Sequence, residues 1–181
     1  FFRGGTGAAR SGDGTGLGLT ICRAIVEAHG GEIWFADSTA GARVRVSLPR
    51  ALAALRVMSA LMLAQHGVQK LFGLLLRPDR PWDGAPAAFS QMWFAGVLET
   101  FGGALIVFGL FTRPVAFLLA GEMAVAYFQA HAPRSFWPIL NGGENVVLFC
   151  FVFLYLFAAG AGPYSVDGWL RGRRGNKIAE P

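Results

Sequence analysis

From Ala51 onward the hydrophobic positions of this chain lose any short period and run in four long stretches, about 51–76, 92–111, 114–128 and 145–161. A helix rises about 1.5 Å per residue and a bilayer's hydrocarbon core is about 30 Å thick, so roughly 20 residues make a crossing. The first two stretches meet that length directly. The third and fourth are shorter and rely on flanking Trp, Tyr and His at the interface to complete the crossing. Pro86, Pro114, Pro133, Pro138 and Pro163 fall in or beside the connections, where a missing N–H costs least. Before Pro49 the pattern is different. Ile21, Cys22, Ala24, Ile25, Val26 and Ala28 recur at helical spacing and stop at Gly30-Gly31, and residues 32–36 and 44–48 read as two short strands around a turn at 39–41. The predicted fold is mainly α: a four-helix transmembrane bundle with a small truncated α/β N-terminal segment of loop, helix and two strands. The expected divisions are 1–49, 50–170 and a basic cytoplasmic tail at 171–181.

Composition supports lipid as the solvent of the larger part. The chain of 181 residues is 54% hydrophobic and 15% charged, and a soluble core of roughly 130 residues could not bury its Phe and Trp along with four apolar runs. The net charge of +5 comes largely from Arg and Lys at the ends of the apolar stretches and in the tail, a pattern suited to anionic headgroups rather than to nucleic acid. Arg50, Arg56, Arg113, Arg171, Arg173, Arg174 and Lys177 fall on one side of a four-span arrangement, and Arg77, Arg80 and Arg134 on the other. The excess of positive charge places both termini in the cytoplasm of a multi-pass protein of the bacterial inner membrane. Cys22 and Cys150 match no metal or redox spacing, so packing roles are expected, and no metal site is.

Polar side chains inside apolar helices are costly and are the natural candidates for function. In the first stretch Gln65, His66, Gln69 and Lys70 cluster within about two turns, with His66 and Lys70 four apart on one face. The second stretch brings Glu99 and the third Glu122. An inward His66 or Lys70 paired with Glu99 would neutralise the charge and form a site for a polar head group, a quinone carbonyl or a proton; the alternative is that these groups only fix helix register or reach the interface by snorkelling. Gly102-Gly103 and Gly109 read as close-packing positions.

In the first portion, GTGLGLTI opens the helix, VEAHGGEIWF closes it, and VRVSLP follows. A glycine-rich loop at a helix N-terminus presents backbone N–H groups to phosphate, and the same glycines also suit a plain tight turn. With Phe1-Phe2-Arg3 in front, these motifs resemble the C-terminal end of the sensor histidine kinase ATP-binding domain. The resemblance implies that Gly14, Gly16 and Gly18 match the glycine box lining the ATP phosphates. The family's acceptor-histidine helix, asparagine box and adenine-binding DxGxG box are absent, so ATP binding would need an upstream portion and the chain is not expected to phosphorylate itself. His29 lies in the last helical turn, where an imidazole caps carbonyls or meets the helix dipole. The Phe start suggests part of a longer reading frame, and adjacent genes run together would explain the junction.

In the larger portion, HGVQKLFG, GVLETFGGALIVFGLFTRP, HAPRSFWPILNGGENVVLF and PYSVDGWL, over about residues 52–170, resemble the DoxX family of small four-helix membrane proteins. That resemblance implies a redox-associated oxidoreductase subunit, linked to quinone and to oxidation of thiosulfate or another sulfur compound, or to an oxidative-stress complex. His66 and Glu99 are the candidate catalytic groups, and His66, Glu99, His131, Asn141 and Glu144 fall on the family's recurrent polar motifs. No bound cofactor is expected beyond a diffusible quinone, because haem, flavin or iron–sulfur ligation has no convincing residues here. The expected partners are the bilayer, a redox subunit and further copies of the chain. The competing readings are the C-terminal part of a sensor histidine kinase with a membrane anchor, and a small-solute transporter, for which four helices give little room for alternating access.

Overall fold

The structure is a computed structural model and describes residues 17–36, 43–75 and 83–178. It divides into two compact units, Phe1–Ala51 and Leu52–Pro181.

In the first unit helix α1 (Leu17–Ala28) is followed by strands β1 (Glu32–Ala36) and β2 (Arg43–Ser47), which pair antiparallel with Trp34 opposite Arg45. The helix stops where the paired glycines predict. Gly30 takes φ +68°, a left-handed conformation that costs glycine nothing, and the N–H groups of Gly30 and Gly31 return to the carbonyls of Glu27 and Val26, each at 2.9 Å. His29 Nδ1 donates to the Ile25 carbonyl at 2.7 Å, the capping role expected of it. β1 has its predicted bounds and β2 begins one residue earlier than predicted. Among the described residues of this unit Val26 is the buried apolar side chain, whereas Ile21, Ile25, Trp34, Phe35, Val44 and Val46 are exposed.

Among the described residues the regular elements of the second unit are all helices. Helix α2 (Pro49–Phe72) has 24 residues, about 36 Å of rise. α3 (Gln91–Val97), a π-helical turn (Leu98–Gly102) and α4 (Gly103–Phe108) form one continuous rod of 18 residues. α5 (Thr112–Ala126) runs without a break into a second π-helical turn (Tyr127–His131). A single short turn, α6 (Pro138–Asn141), leads to the 16-residue α7 (Glu144–Ala159), and α8 (Val166–Ile178) closes the chain. α2 and the α3–α4 rod are long and apolar enough to cross a membrane, and α7 is a shorter apolar helix.

The core of this unit is narrow. Ala60 and Leu63 of α2, Ile106 of α4, Leu119 and Met123 of α5, and Phe153 of α7 meet in it. Most large side chains point the other way: Phe94, Phe101, Phe108, Phe117, Leu118, Phe128, Leu148 and Phe151 are exposed on the outside of the helices. A broad apolar exterior around a narrow core reverses the arrangement of a soluble bundle.

The helix ends differ from the sequence reading in three places. α2 stops at Phe72 rather than 76, because Gly73 and Leu75 adopt positive φ and Gln69 Nε2 donates to the Leu75 carbonyl at 3.2 Å. The second stretch stops at Phe108 rather than 111, with Gly109 and Phe111 both left-handed. α8 forms within what reads as a polar tail. Its start is capped by Ser165, whose hydroxyl accepts from the Gly168 N–H at 3.0 Å. Asp167 in its first turn accepts from the N–H groups of Thr112 at 2.8 Å and Phe111 at 3.0 Å, and donates its own N–H to the Gly109 carbonyl at 2.9 Å. This carboxylate therefore caps α5 and holds the strained Phe111 turn.

Candidate functional site

The apolar interior of the second unit holds one close charge pair. Lys70 Nζ lies 2.6 Å from Glu99 Oε1, joining the last turns of α2 to the first π-helical turn. Glu99 is almost fully buried, with 4% of its side chain exposed, and Lys70 keeps 30% exposed. A π turn inserts one residue into the helical repeat and rotates the side chains that follow it, a device common at functional sites. Here it carries Glu99 inward. The approach of the two elements depends on Gly67, three residues before Lys70. A Cβ at that position would fall 2.5 Å from the Thr100 backbone nitrogen and 2.8 Å from Glu99 Cβ.

Glu99 Oε2 has no hydrogen-bond partner, and neither do the enclosed Oε1 and Oε2 of Glu122 on α5. Glu122 lies within electrostatic reach of both Glu99 and Lys70, and His66 within reach of Glu99. His66 itself is exposed on α2, one turn before Lys70. Three helical elements thus contribute one cation, two carboxylates and an imidazole at the edge. The chemistry available is proton exchange or recognition of a polar group. Among the described residues, no group of three or more His, Cys, Asp or Glu is placed to hold a metal ion.

A second polar group surrounds Asn141, which is 5% exposed. Its Nδ2 donates to the Ser135 carbonyl at 2.6 Å and to the Tyr127 hydroxyl at 3.3 Å, and its Oδ1 accepts from the Gly143 N–H at 2.7 Å. The Tyr127 hydroxyl donates to the Phe136 carbonyl. His131 Nδ1 donates to the Asn141 carbonyl at 3.2 Å, and its ring stacks on Tyr127 with an interplanar angle of 13°. This network satisfies the backbone of the turn between the second π-helical turn and α7, so His131 and Asn141 order that connection. Glu144 joins neither group; it is exposed in the first turn of α7, where a carboxylate complements the helix dipole. Gln69 caps the end of α2.

Sequence reasoning passed over Arg56 as a site residue and used it only for orientation. It is 2% exposed, and its guanidinium donates to the Ile106 carbonyl at 3.1 Å and the Tyr164 carbonyl at 2.7 Å, tying α2 to α4 and to the segment before α8. The long apolar stem and fork of Arg made that role available, but no pattern announced it. In the first unit, Gly14 and Gly16 lie outside the described residues. Gly18 sits in the first turn of α1, with open space where a Cβ would be.

Comparison with known proteins decides the lineage. The DoxX family model matches residues 51–132, and an uncharacterized protein of Haemophilus influenzae is 40% identical over 124 residues, covering 66% of this chain and 90% of that protein. The chain belongs to the DoxX family. The DoxX match contains His66, Lys70, Glu99, Glu122 and His131, so the charged group lies wholly within it, whereas Asn141 and Glu144 lie beyond its end. Ahead of the DoxX domain, residues 1–52 match the histidine kinase-, DNA gyrase B- and HSP90-like ATPase family. A stretch of 38 residues, 20% of this chain, is 50% identical to the sensor protein TdiS of Thauera aromatica and covers 7% of that protein. No solved structure matches the chain.

Proposed function

We propose that the DoxX domain is a four-span protein of the bacterial inner membrane, with both termini cytoplasmic, and that it serves as a redox-associated subunit exchanging protons with a quinone. α2, the α3–α4 rod, α5 with its π-helical turn, and α7 are the four spans. The outward-facing Phe and Leu side chains support a lipid surround, and the bias of Arg and Lys toward one set of helix ends supports the orientation. A redox partner subunit would supply electrons taken from thiosulfate, sulfide or a related donor.

One observation carries this reading: a buried carboxylate, Glu99, held by Lys70 on a π-helical turn within the helix bundle. An ionisable pair at that depth is costly to keep for packing alone. Quinone reduction consumes protons along with electrons, so a membrane-embedded carboxylate beside an exposed imidazole answers the chemical need. In this reading His66 collects protons at the helix surface and Glu99 delivers them. The ATPase-like segment contributes no catalytic step to it.

The test is donor-dependent reduction of a quinone analogue in membranes with and without the full chain, each with candidate partner proteins present. Reduction that requires the chain supports a redox subunit. An equal rate without it refutes the assignment.

A further inference from the structure

The charge balance of the cluster at Lys70, Glu99 and Glu122 does not close locally. Glu99 and Glu122 bring two carboxylates to one ammonium, and three of their four oxygens are enclosed without a hydrogen-bond partner. The fourth, Glu99 Oε1, is already taken by Lys70. Fully ionised, the group would carry net negative charge in an apolar surround and leave three strong acceptors unmet, an arrangement that hydrocarbon penalises heavily.

Among the described residues the further titratable neighbour that could carry positive charge is His66, exposed at the edge of the cluster. From α2 the groups facing this cluster are Lys70 and His66; from the first π-helical turn it is Glu99. The charges acting on Glu122 are those of Glu99 and Lys70. On α7, which packs against α5, the ionisable side chains are Glu144, Cys150 and Tyr155, of which Glu144 and Tyr155 are exposed and Cys150 is half-buried.

We propose that Glu122 binds an exchangeable proton, making Glu99 and Glu122 a two-carboxylate, one-proton site beside Lys70. The proton forms an O–H bond with one Glu122 oxygen, and this removes one negative charge and turns one of the enclosed, unmet acceptors into a hydroxyl. On release the same bond breaks, the electron pair stays on Glu122, and no redox change occurs. A proton needs no cavity, and Lys70 already supplies the positive charge that a bound metal cation would bring. The site deepens the proton-handling part of the proposed function and rests on that reading only for where the proton goes.

Infrared spectroscopy of the full chain in lipid bilayers tests the site without any quinone or electron donor, so it can fail while the redox assignment stands, and the converse. The expected result is a carboxylic C=O band at neutral pH that shifts in D2O, disappears in Glu122→Gln and persists, displaced, in Glu99→Gln. Glutamine reproduces the shape of a protonated glutamate, and unchanged helical content in Glu122→Gln confirms that loss of the band is not loss of the fold. Carbon-13 NMR of glutamate-labelled wild-type chain gives the same reading without a variant. Absence of a protonated carboxyl at neutral pH, a band indifferent to Glu122→Gln, or a band that appears only when Na+ is removed would each overturn the proposal.

Discussion

Glu99 meets Lys70 through one carboxylate oxygen at 2.6 Å, while its other oxygen is enclosed and meets no donor. The pair is therefore only half satisfied, and the asymmetry determines how it responds to substitution. Removing Lys70 strands the buried Glu99 carboxylate; removing both charges together leaves no unpaired Glu99 charge.

Lys70→Met is expected to lower stability in detergent or bilayer by about 3 kcal/mol, the lower end of the range for breaking a buried pair, because Lys70 keeps 30% of its side chain exposed. The double variant Lys70→Met with Glu99→Leu should regain most of that loss. Denaturant unfolding of the two variants checks it, and a double variant as unstable as the single one would contradict the pairing.

Gly67→Ala should separate α2 from the first π-helical turn, since its Cβ would overlap the Thr100 backbone and the Glu99 side chain. Overpacking of this kind costs roughly 1–3 kcal/mol, and the yielding part is backbone rather than a flexible side chain. The Lys70–Glu99 contact should loosen along with it. A melting temperature equal to that of the wild type would show that the approach is less close than described.

Asp167 gives the clearest dependence on pH outside the membrane. Burial pushes its carboxyl up, but the N–H groups of Thr112 and Phe111 and the nearby Arg171 outweigh this and hold it below the usual carboxylate value. A depressed folded-state value means that the stabilisation is present above the unfolded carboxylate value and is lost as pH falls through the folded one. Asp167→Asn should cost about 1 kcal/mol at neutral pH, the value of a helix cap, and should flatten the acid limb of a stability profile. An acid limb unchanged in the variant would assign that limb to other groups.

Asn141→Ala removes partners from the Gly143 N–H and the Ser135 carbonyl together. Leaving a buried group unmet costs roughly 1–3 kcal/mol; the Gly143 N–H is buried and the Ser135 carbonyl only part-buried, so a drop of about 2–4 kcal/mol is expected, with quinone-linked activity falling no further than stability explains. Hydrogen exchange at Gly143 reads the change directly. Protection as strong as in the wild type would remove the network from the account.

Much of the fold was written in the sequence, for reasons of period and length. Gly30-Gly31 marked the end of α1 and the start of β1 after it, and the four apolar stretches fell on helices, of which α2 and the α3–α4 rod are long and apolar enough to cross a membrane. Lys70 and Glu99 were legible as partners because unpaired charges rarely survive in apolar helices. The π-helical turns were not legible, since Leu98–Gly102 and Tyr127–His131 have the composition of ordinary helix and their extra residue is set by tertiary packing. α8 was missed because its polar face resembled a solvated tail, although Ser165 three residues before Gly168 carried a capping signal.

The most direct test of the proton-exchange account is the rate of quinone-analogue reduction at saturating quinone in membranes containing the full chain, compared among wild type, His66→Ala and Glu99→Gln. Loss of a group that transfers protons in the slow step lowers turnover by about 100-fold or more, and that fall is predicted for Glu99→Gln, with a smaller one for His66→Ala. Turnover in Glu99→Gln equal to wild type would contradict the central claim and leave the buried pair a structural role alone.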